Sequence, residues 1–140
     1  MCNQFCDNII FDQITADEFI SLRKAVGWEV PEKGFVAAGL KNTLFSVCIR
    51  RVDTIIGYGR VVGDGGFTIF IQDVMVLPEN QRQGVGTKIM EIIMSTIKQT
   101  FGRHTYIGLM ATKGREPFYK RFGFIERPNE RFGAGMIQFL

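Results

Sequence analysis

The chain has 140 residues, 46% hydrophobic and 22% charged, with a formal net charge of +3. These are ordinary values for a globular chain, and the length suits one domain, 1–140, with its own core. So mild a charge argues against nucleic acid as a partner, where a strong basic stripe is expected, and no apolar run is long enough to span a bilayer.

The N-terminal Met1-Cys-Asn-Gln-Phe-Cys lacks a basic stretch followed by an apolar core, so no signal peptide is expected. Three cysteines, Cys2, Cys6 and Cys48, make no even disulfide framework. Reduced thiols and a cytoplasmic location are the expectation. His104 is the only histidine, and Cys2 and Cys6 have none nearby, so no metal site is expected.

Residues 8–14 read as a first strand. Thr15-Ala-Asp-Glu18 is a capping box, with Ile14 and Phe19 placed as a hydrophobic staple. The helix it opens carries Phe19, Leu22 and Val26 on one face, and Gly27 ends it. Trp28-Glu-Val-Pro31 is a loop, and 32–41 a short helix. Residues 43–51 and 54–62 are strands about a tight turn at Val52-Asp53. Gly63-Asp-Gly-Gly66 signals a hairpin turn into a strand over 67–77.

The main helix spans about 84–101. Val85, Ile89, Ile93, Ile97 and Phe101 recur every four residues, widened by Met90 and Met94, and Gly102 stops it. The methionines read as core filler. Residues 105–110 form a buried strand, and 116–122 a helix ended by Gly123. Residues 124–127 and 136–140 are read as closing strands. The order β-α-α-β-β-β-α-β-α-β-β implies a mixed sheet with helices on both faces.

The segment between the 67–77 strand and the main helix holds the strongest functional signal. Pro78 ends the apolar run, a polar loop follows, and Gly84 and Gly86 open the helix. The first N–H groups of a helix lack internal partners and its dipole favours anions, so such a loop can hold phosphate. An ordinary strand-turn-helix link has the same glycine spacing. Two familiar phosphate loops do not fit. The Walker pattern fails because Thr87 precedes Lys88 with no glycine at the required distance upstream. The dinucleotide fingerprint has Ile89 where a third glycine belongs.

Val76-x-Pro78 followed by Gln81-x-x-Gly84-x-Gly86 resembles the acetyl-coenzyme A loop of the GNAT superfamily of N-acetyltransferases. Pro117-Phe-Tyr-Lys-Arg-Phe-Gly-Phe124 resembles that family's second signature, F-Y-x-x-x-G-F. The blocks stand in the family's order and separation, and with their flanking strands cover residues 67–125, about half the chain. The resemblance implies an α/β (α+β) fold with a mixed, mostly antiparallel sheet of six to seven strands. Helices cover both faces, and a V-shaped split between strands 4 and 5 takes the pantetheine arm. It implies an acyltransferase moving an acetyl group from acetyl-coenzyme A to a primary amine by direct attack in a ternary complex. Frequent dimerisation in the family adds a homodimer to the expected partners.

Carried over residue by residue, the resemblance gives the pyrophosphate to the backbone of Arg82, Gln83, Gly84, Val85, Gly86 and Thr87, next to Gln81. Arg82 and Lys88 add charge. A bulge near Val74, Met75 and Val76 supplies an N–H to the acyl oxygen. Tyr119, beside Phe118, is the proton donor to the leaving thiolate; its alternative is a core aromatic with a surface hydroxyl. Many relatives carry a glutamate or histidine base at positions matching Phe70 and Gln72, which cannot serve here. Asp73 is the nearest carboxylate, as a base or a site for a cationic amine, unless neighbouring backbone satisfies it. Glu29, Glu32 and Glu126 are further candidates. Trp28 and Glu29, with Phe70, Gln72 and Asp73, are expected on the acceptor side. Lys113, Arg115, Lys120 and Arg121 are a solvated face or a positive rim for the cofactor. A short chain without an added recognition element favours a small-molecule amine. Alternatives are a protein lysine or N-terminus as acceptor, or a non-catalytic coenzyme A-sensing module.

Overall fold

A computed structural model describes residues 7–140. Cys2 and Cys6, and the question of a signal peptide, lie outside the described residues. The chain divides into two compact units, one ending at Gly108 and the other Leu109–Leu140.

The first unit is a five-stranded sheet in the order β1-β2-β3-β4-β5. Its strands are β1 (Asp7–Phe11), β2 (Phe45–Arg51), β3 (Thr54–Gly63), β4 (Thr68–Val76) and β5 (Tyr106–Gly108). The first four pair antiparallel, and β4 pairs with β5 in parallel. The mixed sheet is as expected, with five strands in place of six to seven. Residues 124–127 and 136–140 are not strands. Met136 is 89% and Phe139 86% exposed. A strand exists only by pairing with a neighbour, and β propensity alone does not supply one.

Each element ends for a local reason. β1 stops at Asp12, whose φ is 55° and whose Oδ1 accepts the Ser46 N–H (2.7 Å). Helix α1 (Ala16–Ala25) begins at the capping box: the Glu18 N–H donates to Thr15 Oγ1 (3.1 Å) and the Thr15 N–H to Glu18 Oε2 (3.3 Å). Helix α2 (Lys33–Lys41) follows after the 26–32 loop. Asp64 makes the β3–β4 turn, its Oδ1 accepting N–H groups of Gly66, Phe67 and Thr68. Those donors hold its carboxyl below the usual range.

Helices cover both faces. On one, Phe19, Leu22 and Val36 from α1 and α2 pack with Cys48, Tyr58 and Met75. Phe19 meets the Tyr58 ring edge-on at 5.7 Å. On the other lies α3 (Val85–Thr100), which buries Val85, Ile89, Met90, Ile93 and Ile97. Gly57 and Gly59 bring α3 close. A Cβ at Gly57 would stand 2.7 Å from Val85 Cγ1, and one at Gly59 2.9 Å from Ile89 Cγ2. Among the described residues no helix is long and apolar enough to cross a membrane.

The second unit holds helix α4 (Glu116–Lys120), with Pro117 in its first turn. Phe118, Tyr119, Phe122 and Phe124 form an aromatic cluster with centroid spacings of 5.0–6.3 Å.

Candidate active site

Two features of β4 build the site. The first is a bulge. Tyr58 pairs with Met75 and Arg60 with Gln72, so Asp73 and Val74 together oppose Gly59. Asp73 has φ 54°. An extra residue in one strand interrupts the ladder and re-aims its side chains. Val74 turns toward α3, its Cγ2 3.5 Å from where a Gly59 Cβ would be. Met75 lies in the α1 face, buried with Phe19 and Tyr58. The bulge lies at Asp73–Val74, adjoining the expected Val74–Val76 region.

The second feature is the edge toward β5. Only Thr68, Ile69 and Phe70 pair with Tyr106, Ile107 and Gly108. Among the described residues of the first unit, the strand has no partner on that side beyond Phe70. Phe70 leans over Gly108: a Cβ there would stand 2.6 Å from the Phe70 ring.

The loop after β4 is tied by its own glutamines. Gln81 Nε2 donates to Val76 O (3.1 Å), and Gln83 Nε2 to Glu79 O (3.2 Å). Arg51 Nη1 donates to Gln83 Oε1 (3.3 Å). These side chains shape the loop. Arg82 has φ 61° and Gly84, the α3 N-cap, φ 80°. Left-handed residues so close to a helix start turn successive N–H groups to one side, a concavity that suits anions. Among the described residues no side chain caps α3, and no acidic residue sits in its first turn. Among the described residues nothing accepts from the N–H groups of 82–87, while Lys88 N–H resumes the helix ladder by donating to Gly84 O. Six unmatched donors at the positive end of a 16-residue helix fit a phosphate-bearing group. Val85 and Met75, both buried, have only backbone to offer such a group.

Asp73 departs from the sequence-based reading. Arg23 Nη1 donates to its Oδ1 (2.5 Å) and Arg60 Nε to its Oδ2 (2.7 Å). Its side chain is 7% exposed, those of Arg23 and Arg60 21% and 20%. A carboxylate held by a guanidinium on each oxygen is a clamp, which speaks against both a proton-accepting base and a site for a cationic amine. Its partners are side chains, not the neighbouring backbone.

The same arginines gather the residues that the sequence reading expects on the acceptor side. Arg23 Nε donates to Glu29 O (2.8 Å), and its guanidinium lies 5.4 Å from the Trp28 ring centroid. Trp28 is half-buried against the α1-side core, more anchored than an exposed loop implies. Arg60 Nη1 donates to Thr43 Oγ1 (3.2 Å) and Gly39 O (3.5 Å), reaching the end of α2. Gln72 pairs with Arg60 and Phe70 stands two residues earlier, so both share Arg60's face of the sheet. Trp28, Glu29, Phe70, Gln72 and Asp73 therefore belong to one side. Arg23 and Arg60, which join them, were missed from sequence. The available signal was a lone charge in each of two strands, Arg60 and Asp73, that burial obliges to pair.

In the second unit, Tyr119 is half-buried between Phe118 and Phe124. Burial pushes its phenol pKa up, with Arg115 opposing, so it stays protonated at neutral pH. Lys120 pairs with Glu126 (2.5 Å), which removes Glu126 as an unpaired carboxylate. Arg121 lies 5.8 Å from the Phe118 and Phe122 rings. Among the described residues no group of three or more His, Cys, Asp or Glu could hold a metal ion.

The acetyltransferase (GNAT) domain model matches residues 41–126, more than half the chain. The chain belongs to the GNAT family of acetyltransferases. Similar proteins carry names of the same kind. It is 29% identical to the uncharacterized N-acetyltransferase ycf52 of Pyropia yezoensis, over 89% of this chain and 77% of that protein. It is 30% identical to the chloroplastic GCN5-related N-acetyltransferase 2 of Arabidopsis thaliana, over 87% of this chain but 55% of the plant protein. Among solved structures, SA2161 of meticillin-resistant Staphylococcus aureus, described as a probable acetyltransferase, superposes with a TM-score of 0.86 at 33% identity. That match covers 96% of this chain and 100% of the other. As a GNAT member the chain is an acyltransferase, and both motif blocks lie inside the matched residues.

Proposed function

We propose that the chain transfers an acetyl group from acetyl-coenzyme A to a primary amine of a small molecule, by direct attack in a ternary complex. The observation that carries this reading is the start of α3, with six N–H groups unmatched among the described residues and no acidic residue in the first turn. Residues 82–87 would hold the pyrophosphate by backbone, with Arg82 and Lys88 adding charge. The open stretch of β4 beyond Phe70, the V-shaped split of the family's sheet, would take the pantetheine arm. Bound there, acetyl-coenzyme A supplies an activated acyl carbon.

The chain's own residues then have distinct tasks. A backbone N–H within Val74–Val76, beside the bulge and beyond the stretch paired with β5, stabilises charge building on the acyl oxygen. Tyr119 donates its proton to the sulfur. The amine nitrogen forms a bond to the acyl carbon as the carbon–sulfur bond breaks, and the nitrogen sheds one proton to solvent. With Asp73 clamped, no unpaired carboxylate of the bulge serves as base, so an amine that is partly neutral at working pH is the expected acceptor.

A thiol-release assay with acetyl-coenzyme A over small amines, amino acids, aminosugars, polyamines and peptides tests the proposal. Amine-dependent release is expected. Saturable coenzyme A binding with no release on any amine or peptide would favour a sensing module, and release on peptides alone a protein acceptor.

A further inference from the structure

Arg23 and Arg60 share one carboxylate, so their cluster with Asp73 carries a formal charge of +1. Glu18 pairs with Arg50 (2.9 Å) and Asp17 with Lys33 (2.9 Å), not with Arg23 or Arg60. Glu29 gives Arg23 its backbone carbonyl and not its carboxylate. Each guanidinium also keeps a donor in reserve. Arg23 spends Nε and Nη1, and Arg60 Nε and Nη1, while neither Nη2 meets an acceptor among the described residues. About a fifth of each side chain is exposed. Both forks are fixed beforehand, by Trp28 and Glu29 on one side and Thr43 and Gly39 on the other. A planar guanidinium held in place matches carboxylate or phosphate oxygens, and a fixed donor binds at lower entropic cost.

We propose that Arg23 and Arg60 recognise an anionic oxygen group, a carboxylate or a phosphate, on the acceptor. The substrate class is then an amine that also carries negative charge, and polycationic amines are selected against by like charge. This rests on the transferase reading of the same site.

Two measurements test it separately. Arginine side-chain NMR is recorded on protein saturated with coenzyme A, titrated with inorganic phosphate and, in a second arm, with succinate. Saturable shifts of the Arg23 and Arg60 Nε–H signals are expected, assigned through Arg23→Lys and Arg60→Lys. Signals unmoved by both anions would overturn the proposal. Thiol release is then compared within matched pairs: amino acids against their amides, and aminosugar phosphates against aminosugars. A kcat/KM at least tenfold higher for the charged member is expected, lost in Arg60→Lys mainly through KM, and the better pair tells carboxylate from phosphate. Equal rates within pairs, or polyamines as the best acceptors, would overturn it. Arginine shifts without release on any amine would sustain the anion site and count against the transferase reading.

Discussion

Tyr119 has a defined proton state whatever its partner. Burial raises its pKa, so the neutral phenol persists to higher pH than in a free tyrosine. If it is the acid, Tyr119→Phe lowers kcat by roughly 10²–10⁴-fold with coenzyme A affinity unchanged. The alkaline limb of the kcat–pH profile also lies above the ordinary tyrosine range. Wild-type turnover in Tyr119→Phe, with chemistry rate-limiting, would reduce the residue to a wall. Cys48 gives a stability test. Burial pushes its thiol from 9.0 to about 11. The raised pKa means the unfolded chain loses the proton first. Its contribution is complete below pH ~9 and is lost as pH rises to about 11, by roughly 1.4 kcal/mol per pH unit. In Cys48→Ala that slope should vanish between pH 9 and 10, before the buried phenol of Tyr58, also pushed up, adds its own. An unchanged slope in urea titrations at several pH values would refute the assignment.

At the scale of elements, Asp73 ties α1, β3 and the end of α2 to the bulge through two arginines. Asp73→Ala should destabilise the fold by about 3 kcal/mol, near the low end for a broken buried pair because both guanidiniums keep some contact with water. Denaturant unfolding checks this, and a loss below about 1 kcal/mol would contradict it. Much at this scale was legible in the sequence. The capping box of α1, the four-residue apolar ladder of α3 and the Asp64 turn depend on neighbours in sequence, and all three formed as read. The Arg23–Asp73–Arg60 clamp joins residues 13 and 50 positions apart, and local spacing does not show which of those charges meet. The closing strands failed for the same reason: 124–127 and 136–140 have strand-like composition, but a strand also needs a neighbouring edge.

Across the whole molecule, both motif blocks lie in the region that the family model matches, and they fall in different compact units. The loop of 81–87 belongs to the unit ending at Gly108 and Tyr119 to the unit Leu109–Leu140. On the proposed reading, holding the cofactor falls to the helix start of the first unit, and proton donation to a residue of the second. The two can be perturbed one at a time. The central claim is that backbone at the start of α3 holds the pyrophosphate of coenzyme A. Calorimetric titration of coenzyme A into the wild type and into Gly86→Glu, each shown by circular dichroism to be folded, tests it most directly. Saturable binding to the wild type and at least a hundredfold weaker binding to the variant is the predicted result, because a carboxylate then stands where phosphate belongs. Equal affinity in both proteins would contradict it.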